Sequence, residues 1–204
     1  MVTIYGVARS RAFRCLWAAK EAGIEVEHLP VAFGSESRAP DYLALNPNGT
    51  VPAMRDGNLV LFESLAINLH LAAKAGPPLL PAGEDHSRVL QWTLWAATEI
   101  EPSIMQWARN AFLLPEAQRD AALAAAGRAM TDRRLAVLEV HLANRPFLLG
   151  EAFTIADCNL AGVLYGSWFQ GYDLSAAPRV KAWMERCMTR PAALAARRLR
   201  EEQA

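Results

Sequence analysis

The sequence predicts an α/β domain of order βαβαββα followed by an all-α bundle, and three observations carry that prediction. Stretches with strand-like alternation or β-branched runs lie ahead of Glu63. Beyond Glu84 the chain is rich in alanine, leucine and arginine, with helical periodicity and no recurrence of the alternation. Between them stands Gly76-Pro-Pro-Leu-Leu-Pro-Ala-Gly83, a run that neither helix nor strand interiors tolerate well. The expected division is therefore a first domain over residues 1–76, a linker over 77–84 and a helical domain over 85–204.

In the first domain, Val2-Thr-Ile-Tyr-Gly6 is β-branched and aromatic and ends on glycine, which reads as a short strand. From about Ser10, apolar Phe13, Leu16, Trp17 and Ala18 recur at helical spacing until Gly23 stops the helix. Residues 25–32 alternate polar and apolar, giving a second strand with one face buried, and Pro30 places it toward an edge or bend. A polar loop over 34–38 precedes a short helix over 39–45 that packs Tyr42, Leu43 and Leu45. Val51-Pro52 heads the third strand, Asp56-Gly57-Asn58 turns the chain, and Leu59-Val-Leu-Phe62 forms the fourth. Ser64 is a natural N-cap for the helix that follows. A βαβ half joined to a ββα half by a helix makes a two-layer unit.

The second half reads as helices over roughly 85–109, 115–144, 155–165, 177–189 and 191–202, the first two long and antiparallel across a short turn near 112–114. Phe153-Thr-Ile-Ala-Asp157 is a capping box with a hydrophobic staple. The run after it is apolar almost all round, so its helix belongs at the centre of the bundle. Aromatic residues at helical spacing are core by default. Trp107, Arg109 and Phe112 stand near the far end of the long first helix, and Trp168 to Tyr172 read as a glycine-bordered loop.

Composition excludes several classes of function. The 204 residues are 52% hydrophobic and 21% charged, enough for a buried core and contrary to disorder. Basic and acidic residues number 21 each, so there is no electrostatic footprint for nucleic acid or an anionic membrane. No apolar run approaches the ~18 residues of a spanning helix, and charge interrupts the N-terminus before a signal-length segment develops. A cytoplasmic protein is expected. Cys15, Cys158 and Cys187 are far apart and odd in number, and the four histidines are scattered, so neither a disulfide framework nor a metal site is expected.

The stretch with the most chemistry is Asn46-Pro-Asn-Gly-Thr-Val-Pro-Ala-Met54, closing at Glu63-Ser64. Proline at the head of a strand gives up a ladder donor, and in the cis form it turns the preceding backbone outward, so Val51 can offer N–H and C=O to a ligand. A helix start at Ser64 presents unpaired N–H groups, and Glu63 beside it supplies a carboxylate. The pair suits a zwitterion, an amino acid with its carboxylate at the helix end and its ammonium on Glu63; a hairpin and a capped helix without a ligand is the other reading.

These residues, with the capping box, resemble the glutathione S-transferase family along the whole chain, in its cytosolic, serine-type form with a bacterial character. The resemblance implies a thioredoxin-like first domain, glutathione as co-substrate and no metal. It places the cysteinyl part of glutathione on Val51, beside a cis Val51-Pro52 bond, and the γ-glutamyl end on Glu63 and Ser64. Thr50 completes that set, standing where many relatives have a lysine, so a salt bridge to the glycyl carboxylate must come from elsewhere or be absent. Ser10 is implied as the thiolate donor, with Tyr5 and Cys15 as the other candidates near the first helix; some chains with a similar Ser-Arg-Ala sequence carry the serine three positions earlier, where Val7 stands. Trp107, Arg109, Phe112 and Trp168 are implied to border a pocket for a flat or apolar electrophile. A homodimer is also implied, with Met54, Trp92 and Trp95 as candidate surface residues, for which burial in the monomer is an equal explanation. The expected activity is transfer of the glutathione sulfur to an apolar electrophile. A glutathione-dependent peroxidase would use the same thiolate, and a non-catalytic transferase-like interaction domain is the alternative of a different class.

Overall fold

A computed structural model describes residues 1–202. Its first part contains β1 (Val2–Tyr5), α1 (Ala12–Glu21), β2 (Val26–Leu29), α2 (Pro40–Leu43), β3 (Ala53–Asp56), β4 (Leu59–Phe62) and α3 (Ser64–Ala75). The sheet has the order β2-β1-β3-β4, with β1 parallel to β2 and β3 antiparallel to both its neighbours. This is the thioredoxin-like arrangement. Its core forms where β1 meets the helices: Ile4, Phe13, Leu16, Trp17, Met54, Ile67 and Leu71 are fully buried. α1 is buried along eight consecutive residues, Ala12 to Ala19, which is why its alanines and bulky apolar residues share one helix.

The chain divides into two compact units, one of Met1–Gly83 together with the chain from Met188 onward, the other Glu84–Cys187. The last helix, α9 (Pro191–Glu202), therefore groups with the α/β unit. Arg190, just ahead of it, holds Glu21 at the end of α1 through two hydrogen bonds of 2.7 Å, and the Trp17 indole N–H donates to the same carboxylate.

In the second unit, α4 (Glu84–Trp95), a π-helical stretch (Ala96–Ile100), α5 (Glu101–Ala108) and a second π-helical stretch (Arg109–Leu113) form one continuous helical run. The connection expected near 112–114 therefore begins at Leu114 and runs to Asp120, with a 3-10 turn over Glu116–Gln118 inside it. Arg119 donates to the carbonyls of Phe112 and Leu114, and Asp120 accepts from the Ala122 and Leu123 N–H groups to cap α6 (Ala121–His141). The helix expected from 115 starts at 121 because Asp120, not Pro115, satisfies its first donors. α5 and α6 approach closely at Gly127, where a β-carbon would meet the Trp107 backbone nitrogen at 2.6 Å and the Ser103 carbonyl at 2.9 Å.

α7 (Ile155–Phe169) runs through the bundle centre and is followed by α8 (Pro178–Met188). The capping box is formed, and Asp157 accepts from the Thr154 and Leu148 N–H groups and the Trp183 indole. Burial pushes its carboxyl above the ordinary range, with these donors working in the opposite direction. α7 is four residues longer than expected because the apolar run continues past Tyr165. Trp168, expected in a loop, stands on the helix.

Candidate active site

The loop ahead of β3 is held by side chains that converge on one carbonyl. Tyr42 Oη and Asn46 Nδ2 each donate to the Thr50 carbonyl at 2.7 Å, and Asn46 Nδ2 also reaches Thr50 Oγ1 at 3.2 Å. The Asn46 carbonyl oxygen of the side chain accepts from Asn48 N–H at 3.1 Å, which closes a local Asx turn. Tyr42 is buried, and that burial pushes its hydroxyl pKa up to about 12, so it remains a proton donor at neutral pH. Thr50 is thereby fixed immediately before Val51-Pro52, whose peptide bond is cis. The Val51 side chain packs with Tyr42, Ala53 and Tyr5, while its backbone N–H and C=O have no hydrogen-bond partner among the described residues.

Gly6 brings a second loop against this one. Its φ of +130° favours glycine, and a β-carbon there would lie 2.9 Å from Val51 Cβ and 3.2 Å from Ala12 Cβ. The start of α1 and the Val51 backbone are therefore neighbours. Ser10 lies in the turn that leads into α1, whose first residue is Ala12 and whose N-cap position is Arg11. Ser10 Oγ accepts from the Ala12 N–H at 3.0 Å and donates to the Val7 carbonyl at 2.7 Å. Cys15 is fully buried one turn further on, and burial pushes its thiol pKa up, away from thiolate. Tyr5 stacks edge-on against Tyr42 with ring centroids 6.5 Å apart.

At the other side of the sheet end, β4 passes into α3 through Glu63, the N-cap residue, at φ 69° and ψ 109°. Glu63 is the non-glycine residue with positive φ among those described, a conformation that costs of order 1–3 kcal/mol and clusters at ligand sites. Ser64, expected as the cap, is instead the first residue of the helix. The chain already leaves the strand at Glu63, and the Ser64 hydroxyl is turned inward to accept from Arg14 Nη1 at 3.3 Å. The Glu63 side chain is exposed and without a partner among the described residues.

Four residues of this region escaped the sequence reading. Tyr42 and Asn46 fix Thr50, and their signal was the Asn46-Pro-Asn-Gly49 turn chemistry, read only as a loop. Arg14 could have been found as the one charge inside the buried face of α1. Arg38 supplies a further cation: its Cγ would lie 3.5 Å from a β-carbon on Gly49, next to the neutral Thr50, and its guanidinium has no partner among the described residues.

In the helical unit, Trp107 on α5 stacks edge-on against Phe112 (5.5 Å) and Tyr172 (4.8 Å). Arg109 and Phe112 sit on the second π-helical stretch, a helix form that recurs at functional sites. Trp168 packs beside Tyr165 at 6.4 Å. Of the candidates for a subunit surface, Met54 and Trp92 are buried within the monomer and Trp95 is half-buried, while Leu59 and Phe62 of β4 and Leu90 and Leu94 of α4 are exposed. No group of His, Cys, Asp and Glu among the described residues could hold a metal ion. None of the described helices is long and apolar enough to cross a membrane.

Comparison with known proteins agrees with this fold. The model of the glutathione S-transferase N-terminal domain matches residues 1–73 and that of the C-terminal domain residues 100–191. Glutathione S-transferase 3 of Zea mays is 33% identical over 199 residues, covering 93% of this chain and 90% of that one. Among solved structures, the theta class glutathione S-transferase of Xanthomonas axonopodis pv. citri with glutathione bound superposes with a TM-score of 0.88 at 34% identity over 96% of each chain. Elongation factor 1-gamma of Prunus avium is 36% identical over 166 residues, which span 76% of this chain but 38% of that protein. With both domain models matched in order and a transferase relative aligned over nine-tenths of each chain, the protein belongs to the glutathione S-transferase family.

Proposed function

We propose that the protein works in the cytoplasm as a glutathione transferase, holding glutathione on its α/β unit, stabilising the thiolate and passing the sulfur to an apolar electrophile. The observation that carries this reading is the free Val51 N–H and C=O beside the Ser10 turn. A buried backbone pair left without partners is costly unless a ligand completes it. The cysteinyl part of glutathione, itself a peptide, offers the matching acceptor and donor. Glu63 takes the γ-glutamyl ammonium, and Ser64 with the N–H groups of α3 takes its carboxylate. Arg38 takes the glycyl carboxylate that Thr50 cannot.

Ser10 then faces the sulfur. Its Oγ stays anchored by the Ala12 N–H while the hydroxyl hydrogen turns from the Val7 carbonyl to the thiolate. The thiol proton leaves to solvent, the sulfur lone pair forms the new bond to the electrophilic carbon, and the leaving group departs with the bonding pair. Trp107, Arg109, Phe112 and Trp168 of the helical unit receive the electrophile. The three free, buried cysteines suit a reducing compartment.

Thermal unfolding with and without glutathione tests the binding step: ligand at 100 times its dissociation constant stabilises the fold by about 2.7 kcal/mol. A panel of electrophiles and hydroperoxides assayed with glutathione then separates transferase from peroxidase activity. Absence of any shift at millimolar glutathione would favour the interaction-domain reading, for which the likeness to elongation factor 1-gamma is the specific support.

A further inference from the structure

Two consecutive residues of α1 hold a single residue of α3 at both of its polar ends. Arg14 Nη1 donates to Ser64 Oγ across 3.3 Å, and Cys15 Sγ donates to the Ser64 carbonyl across 3.6 Å. All three side chains are buried, Arg14 with 6% of its surface exposed and Ser64 with 4%. Arg14 is the one charged residue in the buried stretch Ala12 to Ala19, and a buried guanidinium carries a desolvation cost that leucine would not.

A serine hydroxyl has one hydrogen to donate and two lone pairs to receive. With the guanidinium on one lone pair, the hydrogen is directed away from Arg14, and accepting from a cation makes the hydroxyl a stronger donor. Ser64 is the first residue of the twelve-residue α3, where free N–H groups and the helix dipole already favour an anion. We propose that Arg14 is a positioning residue for the α-carboxylate of the γ-glutamyl group, acting through Ser64. The guanidinium fixes and polarises the Ser64 hydroxyl, and the Cys15 thiol fixes the Ser64 backbone. The inference rests on the glutathione-binding reading and adds to it the group that sets this subsite.

The test is a double-mutant cycle read by calorimetric titration and steady-state kinetics on the full chain. Arg14→Met should raise the glutathione KM and dissociation constant about 10-fold, the scale of one charge-assisted hydrogen bond. Turnover at saturating glutathione and the pKa of the bound thiol should stay at their wild-type values, which a general loss of structure would not allow. In a Ser64→Ala background the same substitution should cost nothing further. Arg14→Lys, which keeps the charge and the apolar stem, should recover part of the affinity and serves the cycle if Arg14→Met does not fold. A glutathione analogue lacking the α-carboxylate should bind wild type and the Arg14 variants equally. Additive losses at Arg14 and Ser64, or an equal loss for the analogue, would overturn the inference while leaving glutathione binding intact. Wild-type protein that binds neither compound would overturn the binding reading and this inference with it.

Discussion

Glu63 carries a carboxylate without a partner on a backbone held at φ 69°, a combination that selection for stability alone would remove. If that carboxylate receives the γ-glutamyl ammonium, Glu63→Ala should weaken glutathione binding by roughly 10- to 150-fold, since a hydrogen bond to a charged group contributes ~1.5–3 kcal/mol. The thermal midpoint of the free protein should be unchanged, because the side chain supports nothing else in the fold. Titration calorimetry alongside a melting curve checks both, and either normal binding or an unfolded variant contradicts the role. At this scale the sequence was readable where chemistry is local. Val51-Pro52 and Glu63-Ser64 announce themselves by adjacency. Arg14 acts on a residue fifty positions away and Tyr42 on one eight positions away, and no local pattern reports such pairs.

Among the elements, the pairing of α5 with α6 depends on Gly127. Thr131 Oγ1 lies 2.9 Å from Ser103 Oγ one turn along, so the two helices touch through small and hydroxylated residues. Gly127→Ala would drive a methyl group into the Trp107 and Ser103 backbones, and backbone cannot yield as a flexible side chain can. The expected cost is about 1–3 kcal/mol in denaturant unfolding, and, on the proposal that Trp107 borders the electrophile pocket, a raised KM for the electrophile as Trp107 is displaced from Phe112 and Tyr172. An unchanged denaturation midpoint would contradict the close approach. The helices themselves were legible from periodicity, and the α7 start from its capping box. The two π-helical stretches were not, because one extra residue in a turn leaves the apolar spacing almost unaltered. The start of α6 was misjudged although Asp120 carried the N-cap signal, since Pro115 offers a competing one.

On the scale of the whole molecule, helical periodicity announced α9, and the expected division counted it with the helical domain over 85–204; in the structure it groups with the α/β unit, where Arg190 holds Glu21 of α1. We propose that two copies associate, as the family resemblance implies, and exposed Leu59 and Phe62 on the edge strand and Leu90 and Leu94 on α4 are apolar residues available for it. Leu94, with 62% of its surface exposed, can be changed to Glu without harm to the monomer core. Leu94→Glu should lower the sedimenting mass from twice to once that of the chain, and a wild-type protein that sediments as a monomer contradicts the dimer. The central claim is that the molecule stabilises a thiolate at Ser10. A free thiol titrates near ~8.5, and removing one hydrogen bond of ~1.5–3 kcal/mol from its anion raises the pKa by about 1–2 units, which near neutral pH slows conjugation about 10- to 100-fold. Titrating the thiolate absorbance of bound glutathione is the most direct measurement: the account predicts a pKa below the free value in wild type and a rise of about 1–2 units in Ser10→Ala. A wild-type complex that titrates like free glutathione, or an alanine variant with an unshifted pKa, would contradict it.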